Sequence, residues 1–321
     1  MSEHSYPSPA WLPGGHLQTI FPAVARRPAH LRYRRERWET PDQDFIDLDW
    51  LEGPMGAPLV VLFHGLEGSS NSHYALALMR HLQQLGWRGV VPHFRGCSGE
   101  LNRLPRAYHA GDSAEVDWIL RRLRHEVGIA PIFAVGVSLG GNVLLKWAGE
   151  QGGRAGQIVS ATAGVSVPLD LAAAGISLDA GLSRHIYTRE FLRTLRQKAL
   201  HKLHRFPDIA DRQRILAART FSAFDDAFTA PIHGFKGKED YWNQSSSKPW
   251  LKHVRLPTLV LNARNDPFLP AHVLPALHEV SSSVQTEYPE QGGHVGFLSG
   301  QFPGHLDWLP HRLTRHFRAY L

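Results

Sequence analysis

Cysteine is almost absent from this sequence. Cys97 is the only one, so no disulfide can form within the chain, and the composition suits a reducing compartment. No apolar run approaches the roughly 18 residues that a membrane-spanning helix needs. The first nine residues, Met1 to Pro9, lack the basic and apolar regions of a signal peptide. These absences lead us to expect a cytoplasmic protein. Histidine is plentiful, but metal-ligand spacing is missing. His125-Glu126 is followed by Ile129 where a helical zinc motif needs its second histidine. No metal or cofactor is expected. The net charge of +6 raises the question of nucleic acid, yet neither paired cysteines nor an aromatic RNA-binding strand motif occurs. Nucleic acid is therefore not an expected partner, and the surplus arginine reads as solvated surface.

What the sequence does contain is centred on residues 131–149. Pro131 to Val137 is an apolar, β-rich run that ends in Gly136-Val137-Ser138-Leu139-Gly140, and a helical pattern follows at once. This strand, tight turn and helix is the context in which a serine is held at the apex of a strained turn with its hydroxyl exposed. Upstream, Pro58–Phe63 reads as a strand covered on both faces and runs into His64-Gly65-Leu66-Glu67-Gly68. Gly89–Phe94 is a further strand, leading into Arg95-Gly96. Between these strands lie helices carrying Tyr74, Leu78, Met79 and Leu82 on one face, and Val116, Ile119, Leu120 and Leu123 on another. Alternating strands and helices imply a mostly parallel sheet, in which chemistry collects at the carboxyl ends of strands.

The rest of the chain extends this pattern. Arg37 to Leu51 reads as two short strands joined by a turn at Pro41-Asp42, and Gln157–Ala163 as a strand after the serine's helix. Strands are also expected at Thr258–Leu261 and Val284–Tyr288, with a closing amphipathic helix from about Leu306 to Leu321. Arg26, Arg27, Arg32, Arg34, Arg35 and Arg37 read as a solvated basic face. Over eighty residues separate the strands on either side of 170–250, too many for a loop, so this region is expected to be a helical cap inserted over the sheet. Within it, Phe191, Leu192, Leu195 and Leu203 form the apolar face of a helix whose polar positions include Arg189, Arg193, Arg196, Lys198 and Lys202. Such a helix covers the core, with peripheral contact to an anionic membrane as a second use. The expected organisation is a single domain over 1–321, with an N-terminal arm over about 1–35 and the cap over about 170–250.

Ser138, Asp266 and His294 stand in that order, each just after an expected parallel strand. A serine hydroxyl is a weak nucleophile until a base takes its proton; His294 is the candidate base and Asp266 the group that orients it. Two backbone N–H groups are needed for the developing oxyanion, and the candidates are Leu139 and Leu66. His64 reads as scaffold for that loop and not as a base.

Six stretches then carry a resemblance: Gly15–Thr19, His64–Ser69, Arg95–Gly99, Gly136–Asn142, Asn265–Pro267 and Gly293–Phe297. On these residues the chain resembles the YheT-like branch of the α/β-hydrolase superfamily over nearly its whole length. The resemblance implies an α/β-hydrolase fold and a serine carboxylesterase acting on short- or medium-chain acyl esters without a cofactor. The alternatives are a lysophospholipase or monoacylglycerol-type lipid hydrolase, an acyl-ester synthase, or a non-catalytic ligand-binding protein of the same fold. No His-x-x-x-x-Asp acyltransferase motif occurs. The expected partner is a small-molecule ester or lipid, and the sequence sets no oligomeric state.

Overall fold

A computed structural model of the protein describes residues 6–25 and 31–321. The frame is an eight-stranded sheet in the order β1-β2-β4-β3-β5-β6-β7-β8. After helix α1 (Gly15–Ala25) come β1 (Arg34–Glu39), β2 (Phe45–Leu51), β3 (Leu59–Phe63), α2 (His73–Leu85), β4 (Arg88–Pro92), α3 (Ser113–Val127), β5 (Ile132–Val137) and α4 (Leu139–Gln151). β6 (Ala161–Val165) follows. Beyond it lie α5 (Leu171–Leu178), α6 (Arg189–Arg205) and α7 (Lys238–Ser245), with short helical turns between them, before β7 (Thr258–Leu261), β8 (Val284–Glu287) and α8 (Trp308–Arg318). β2 pairs antiparallel with both β1 and β4, and every other pairing in the sheet is parallel. The sheet is mostly parallel, as the sequence implies.

The continuous apolar runs are buried on both faces because helices cover both sides of the sheet. Leu59, Val61 and Phe63 of β3 point to the side packed by α3 and α4, with Val116, Leu120, Leu144 and Trp147. Val60 and Leu62 point to the other side, against Leu78, Met79 and Leu82 of α2 and Leu313 and Phe317 of α8. The two-residue alternation of a strand assigns neighbouring side chains to opposite layers.

Three expectations need correction or refinement. The sheet is not joined at Gln157, because Gly152–Gln157 closes as a 3-10 turn and the strand begins at Ala161. Ile158 and Val159 are apolar because they plug the core beneath that turn. The arginines of β1 do line an exposed face, as expected, but they are paired and not free. β1 pairs with β2 in a register that sets Arg35 opposite Asp49 and Arg37 opposite Asp47, and each guanidinium grips its carboxylate through two nitrogens. Arg34 bonds Glu36 and Glu52, while Arg26 and Arg27 lie outside the described residues. Lastly, two basic positions of α6 turn inward. Lys202 is buried and donates to Asn102 Oδ1 and to the carbonyls of Leu104 and Arg106. Lys198 pairs with Glu67 at 2.7 Å. Both lysines thus fasten α6 to the loops at the sheet's carboxyl edge.

Between β6 and β7 the described chain holds helices and turns and no strand. Leu192, Ala199 and Leu203 of α6 pack with Ile215, Phe224 and Phe228 in an apolar cluster of their own. Among the described residues no helix is long and apolar enough to cross a membrane.

Candidate active site

Ser138 follows the last residue of β5 and precedes the first residue of α4. Its backbone sits at φ 53° and ψ −122°, a conformation L-residues rarely adopt and one that surrounding structure must enforce. The two glycines of the turn make that possible. A Cβ on Gly136 would come within 2.5 Å of the Gly140 carbonyl oxygen, and one on Gly140 would strike the Phe63 and His64 carbonyls. The strand-to-helix turn therefore presses against the end of β3 and presents the Ser138 side chain above the sheet.

The sheet brings the three sequence candidates together. His294 Nε2 lies 2.9 Å from Ser138 Oγ, and His294 Nδ1 lies 2.9 Å from Asp266 Oδ2. A carboxylate only accepts, so Nδ1 carries the proton and Nε2 offers its lone pair to the serine O–H. Asp266 Oδ1 accepts from the Phe268 N–H at 2.8 Å, which fixes the carboxylate plane. The Phe268 ring stacks on the imidazole, with centroids 3.8 Å apart and planes 14° from parallel.

Leu139 is the first residue of α4, where a backbone N–H has no intrahelical partner. No hydrogen bond to the Leu66 N–H occurs among the described residues either. The loop that carries Leu66 is strongly held. His64 is fully buried; its Nδ1 donates to Gly65 O at 2.8 Å and its Nε2 accepts from Phe94 N at 3.1 Å. Burial pushes the His64 pKa down to about 3, so the ring stays neutral and ties the loop to the end of β4. This is the scaffold role expected from sequence. Tyr74 Oη accepts the Gly65 N–H, and Glu67, at φ 55°, is gripped by Tyr108 and Lys198.

Several supporting residues have no assigned role in the sequence reading. Thr19 Oγ1 accepts from the His294 N–H at 2.9 Å, and Gln18 Oε1 accepts from the Gly292 N–H at 2.8 Å. Asn265 Oδ1 accepts from Gly293 N, and its Nδ2 donates to Gln18 and Gln291. Ser166 Oγ accepts from Val295 N. The expected N-terminal arm thus includes a helix, α1, that clamps the histidine loop. The only sequence signal for this was the density of large apolar residues, Trp11 to Phe21, which argues against a free tail.

Two spaces meet at Ser138. A cavity of about 130 Å³ lies under α5 and α6, walled largely by apolar side chains such as Leu139, Leu171, Leu178, Phe221 and Trp242. A more polar groove opens on the other side, bordered by Thr19, Ile20 and Val24 of α1 together with Ser69, His73 and Glu190. Leu66, Ser138, Phe191 and Phe268 border both spaces.

Similarity to known proteins defines the class. The chain belongs to the α/β-hydrolase fold family, whose family model matches residues 58–301. Within it the protein is YheT-like. It is 41% identical to YheT of Escherichia coli, named as a proposed esterase, over 95% of this chain and 91% of that one. It is 31% identical to phospholipase ABHD3 of Homo sapiens, over 94% of this chain and 76% of that one. The fold is shared with the Pyrococcus furiosus esterase Pf2001, with a TM-score of 0.59 and 14% identity over 90% and 91% of the two chains. The protein is an esterase-like hydrolase of this fold.

Proposed function

We propose that the protein is a serine carboxylesterase that cleaves esters of small to medium-length acyl groups through an acyl-Ser138 intermediate. His294 removes the Ser138 proton as Oγ bonds to the ester carbonyl carbon. The imidazolium, stabilised by Asp266, then passes that proton to the alcohol oxygen as the C–O bond breaks. Water, deprotonated by His294, attacks the acyl carbon and releases the acid and the serine. The N–H groups of Leu139 and Leu66 receive the oxyanion in both halves of the reaction, each worth about 3 kcal/mol of transition-state stabilisation. The apolar cavity takes the acyl chain, and the open groove takes the alcohol and admits water.

The observation that carries this reading is the pair of 2.9 Å contacts joining Ser138, His294 and Asp266. It is tested with a fluorophosphonate probe and p-nitrophenyl esters of graded acyl length. Wild type should be labelled and should turn over esters, and Ser138→Ala should lose both, by about 10⁴-fold or more in kcat. A wild-type protein that neither labels nor hydrolyses any ester, yet binds ligand as well after Ser138→Ala, would instead be a binding protein of this fold.

A second reading, hydrolysis of a lysophospholipid or monoacylglycerol at a lipid surface, is favoured by α1. Its Leu17 and Val24 are 52% and 72% exposed, and Val24 borders the groove. Flotation with neutral and anionic vesicles tests this; a protein that stays with the soluble fraction at low salt does not work at a bilayer.

A further inference from the structure

The cavity above Ser138 is not uniformly apolar. Asp225 and Tyr241, from the region between β6 and β7, border it together with His109, from the segment between β4 and α3. Asp225 opens a single wide π-type turn, Asp225–Thr229, set between the helical pieces Phe221–Phe224 and Ala230–Ile232. Its Oδ1 accepts from Thr229 Oγ1 at 2.7 Å and its Oδ2 from Trp242 Nε1 at 2.8 Å. Each oxygen keeps a lone pair, and among the described residues no lysine, arginine or histidine lies within ion-pair distance of Asp225. Burial raises the Asp225 pKa to about 6, so at neutral pH a carboxylate without a cation lines the cavity.

Its neighbours bring donors. Tyr241 Oη accepts the Ala110 N–H at 3.0 Å, which leaves the phenol proton with no acceptor among the described residues. Burial first and the Asp225 charge second push that phenol's pKa up, so the proton stays on. His109 Nδ1 accepts from Gly111 N at 3.2 Å, so in the neutral ring the proton sits on Nε2, for which the described residues supply no acceptor. The His109 and Tyr241 rings are in edge contact, with centroids 5.9 Å apart. One side of an otherwise apolar cavity therefore offers spare acceptor capacity beside two spare donors.

An unsubstituted alkyl chain would cover these groups without bonding any of them, at a desolvation cost for each. A hydroxyl is both donor and acceptor and meets both needs. A cationic group would satisfy the carboxylate but would face the two donors. We propose that Asp225, with Tyr241 and His109, forms a specificity subsite for a hydroxyl group on the chain that occupies the cavity, so that the preferred substrates are hydroxyacyl esters. This rests on the esterase reading above and on the acyl chain lying in the cavity.

The test compares p-nitrophenyl esters of ω-hydroxyalkanoic acids with plain alkanoates of equal length, the series moving the hydroxyl outward carbon by carbon. At one length the hydroxylated ester should be preferred by about tenfold or more in kcat/KM. In Asp225→Leu that ratio should fall to one or below. Tyr241→Phe should lower it part of the way. Because the ratio is read within each variant, losses shared by both substrates cancel. Preference for the plain chain at every length, a ratio unchanged by Asp225→Leu, or a stronger preference for ω-amino chains would overturn the proposal. If wild type hydrolyses no ester at all, the esterase reading fails on its own. The subsite is then read by calorimetric binding of ω-hydroxyalkanoic and plain alkanoic acids to Ser138→Ala, where equal affinities overturn it.

Discussion

Thr19 Oγ1 accepts the backbone N–H of His294 at 2.9 Å, although the two residues stand 275 positions apart. The same hydroxyl donates to Gly15 O at 2.7 Å, so it is fixed in orientation by its own helix before it meets the loop. Thr19→Val keeps the shape and removes the acceptor. Thr19 borders the groove but takes no part in the bond-making steps of the proposed reaction, so it acts there as a positioning residue for His294. We expect kcat to fall by about tenfold to a hundredfold with KM little changed, and Thr19→Ser to restore most of the loss. Equal activity in all three proteins would show that the bond does not hold the imidazole in place.

Asp49 ties together four segments. It accepts from Arg35 of β1, from His93 after β4 and from Ser70 at the end of the loop that carries Leu66. Burial alone would raise its pKa, but the hydrogen bonds from Arg35, His93 and Ser70 outweigh it and hold the carboxyl well below its ordinary range. A depressed folded-state pKa contributes stability that is present above the unfolded value, near 3.9, and is lost as pH falls through the folded value. Asp49→Asn should therefore cost about 2 kcal/mol at pH 6 and distinctly less at pH 2.5 in urea titrations. A cost that is the same at both pH values would contradict the charged assignment.

Lys198 of α6 reaches down to Glu67, whose side chain is 10% exposed. Lys198→Met would leave the Glu67 carboxylate with Tyr108 but without its cation. Because Lys198 retains partial exposure, the expected loss is about 1–2 kcal/mol, below the 3–5 typical of a fully buried broken pair. Adding Glu67→Gln should recover part of it in thermal unfolding. If the two changes add independently, the pair contributes no coupling.

Cys97 packs beside Lys198 and Tyr108, and burial pushes its thiol up to about 12 despite the nearby ammonium. At pH 8 the native protein should react slowly with Ellman's reagent and release one equivalent of thiolate at full speed only in denaturant. Fast labelling of the folded protein would mean that the loop opens readily.

Legibility from sequence tracked the distance over which each signal acts. The elbow at Ser138 is written in one continuous stretch, residues 131–149, as an apolar run, two glycines of the turn and a helix, and needs no distant partner to be seen. Asp266 and His294 could be singled out because each follows a strand, and a parallel sheet delivers strand ends to one edge. Gln18 and Thr19 could not be assigned a task, because their partners lie more than 270 positions away and only folding shows them. The pairing of the exposed β1 arginines was hidden for a related reason. Their charge is local, but its neutralisation depends on the cross-strand register with Asp47 and Asp49. Ile158 and Val159 show the opposite limit, since burial makes the same demand for apolar side chains whether or not the backbone joins a sheet.

The clamp of α1 on the histidine loop also bears on synthesis. Residues 15–25 leave the ribosome well before the loop they are fastened to, which lies more than 270 positions later, and the intervening strands must already be ordered for the two to meet. On a nascent chain Ser138 and its strained turn can exist long before residue 294 emerges, but without the proposed base. The hydroxyl is then no more reactive than that of any other serine. Activity, on this reading, begins only once residue 294 has emerged and its loop has met α1.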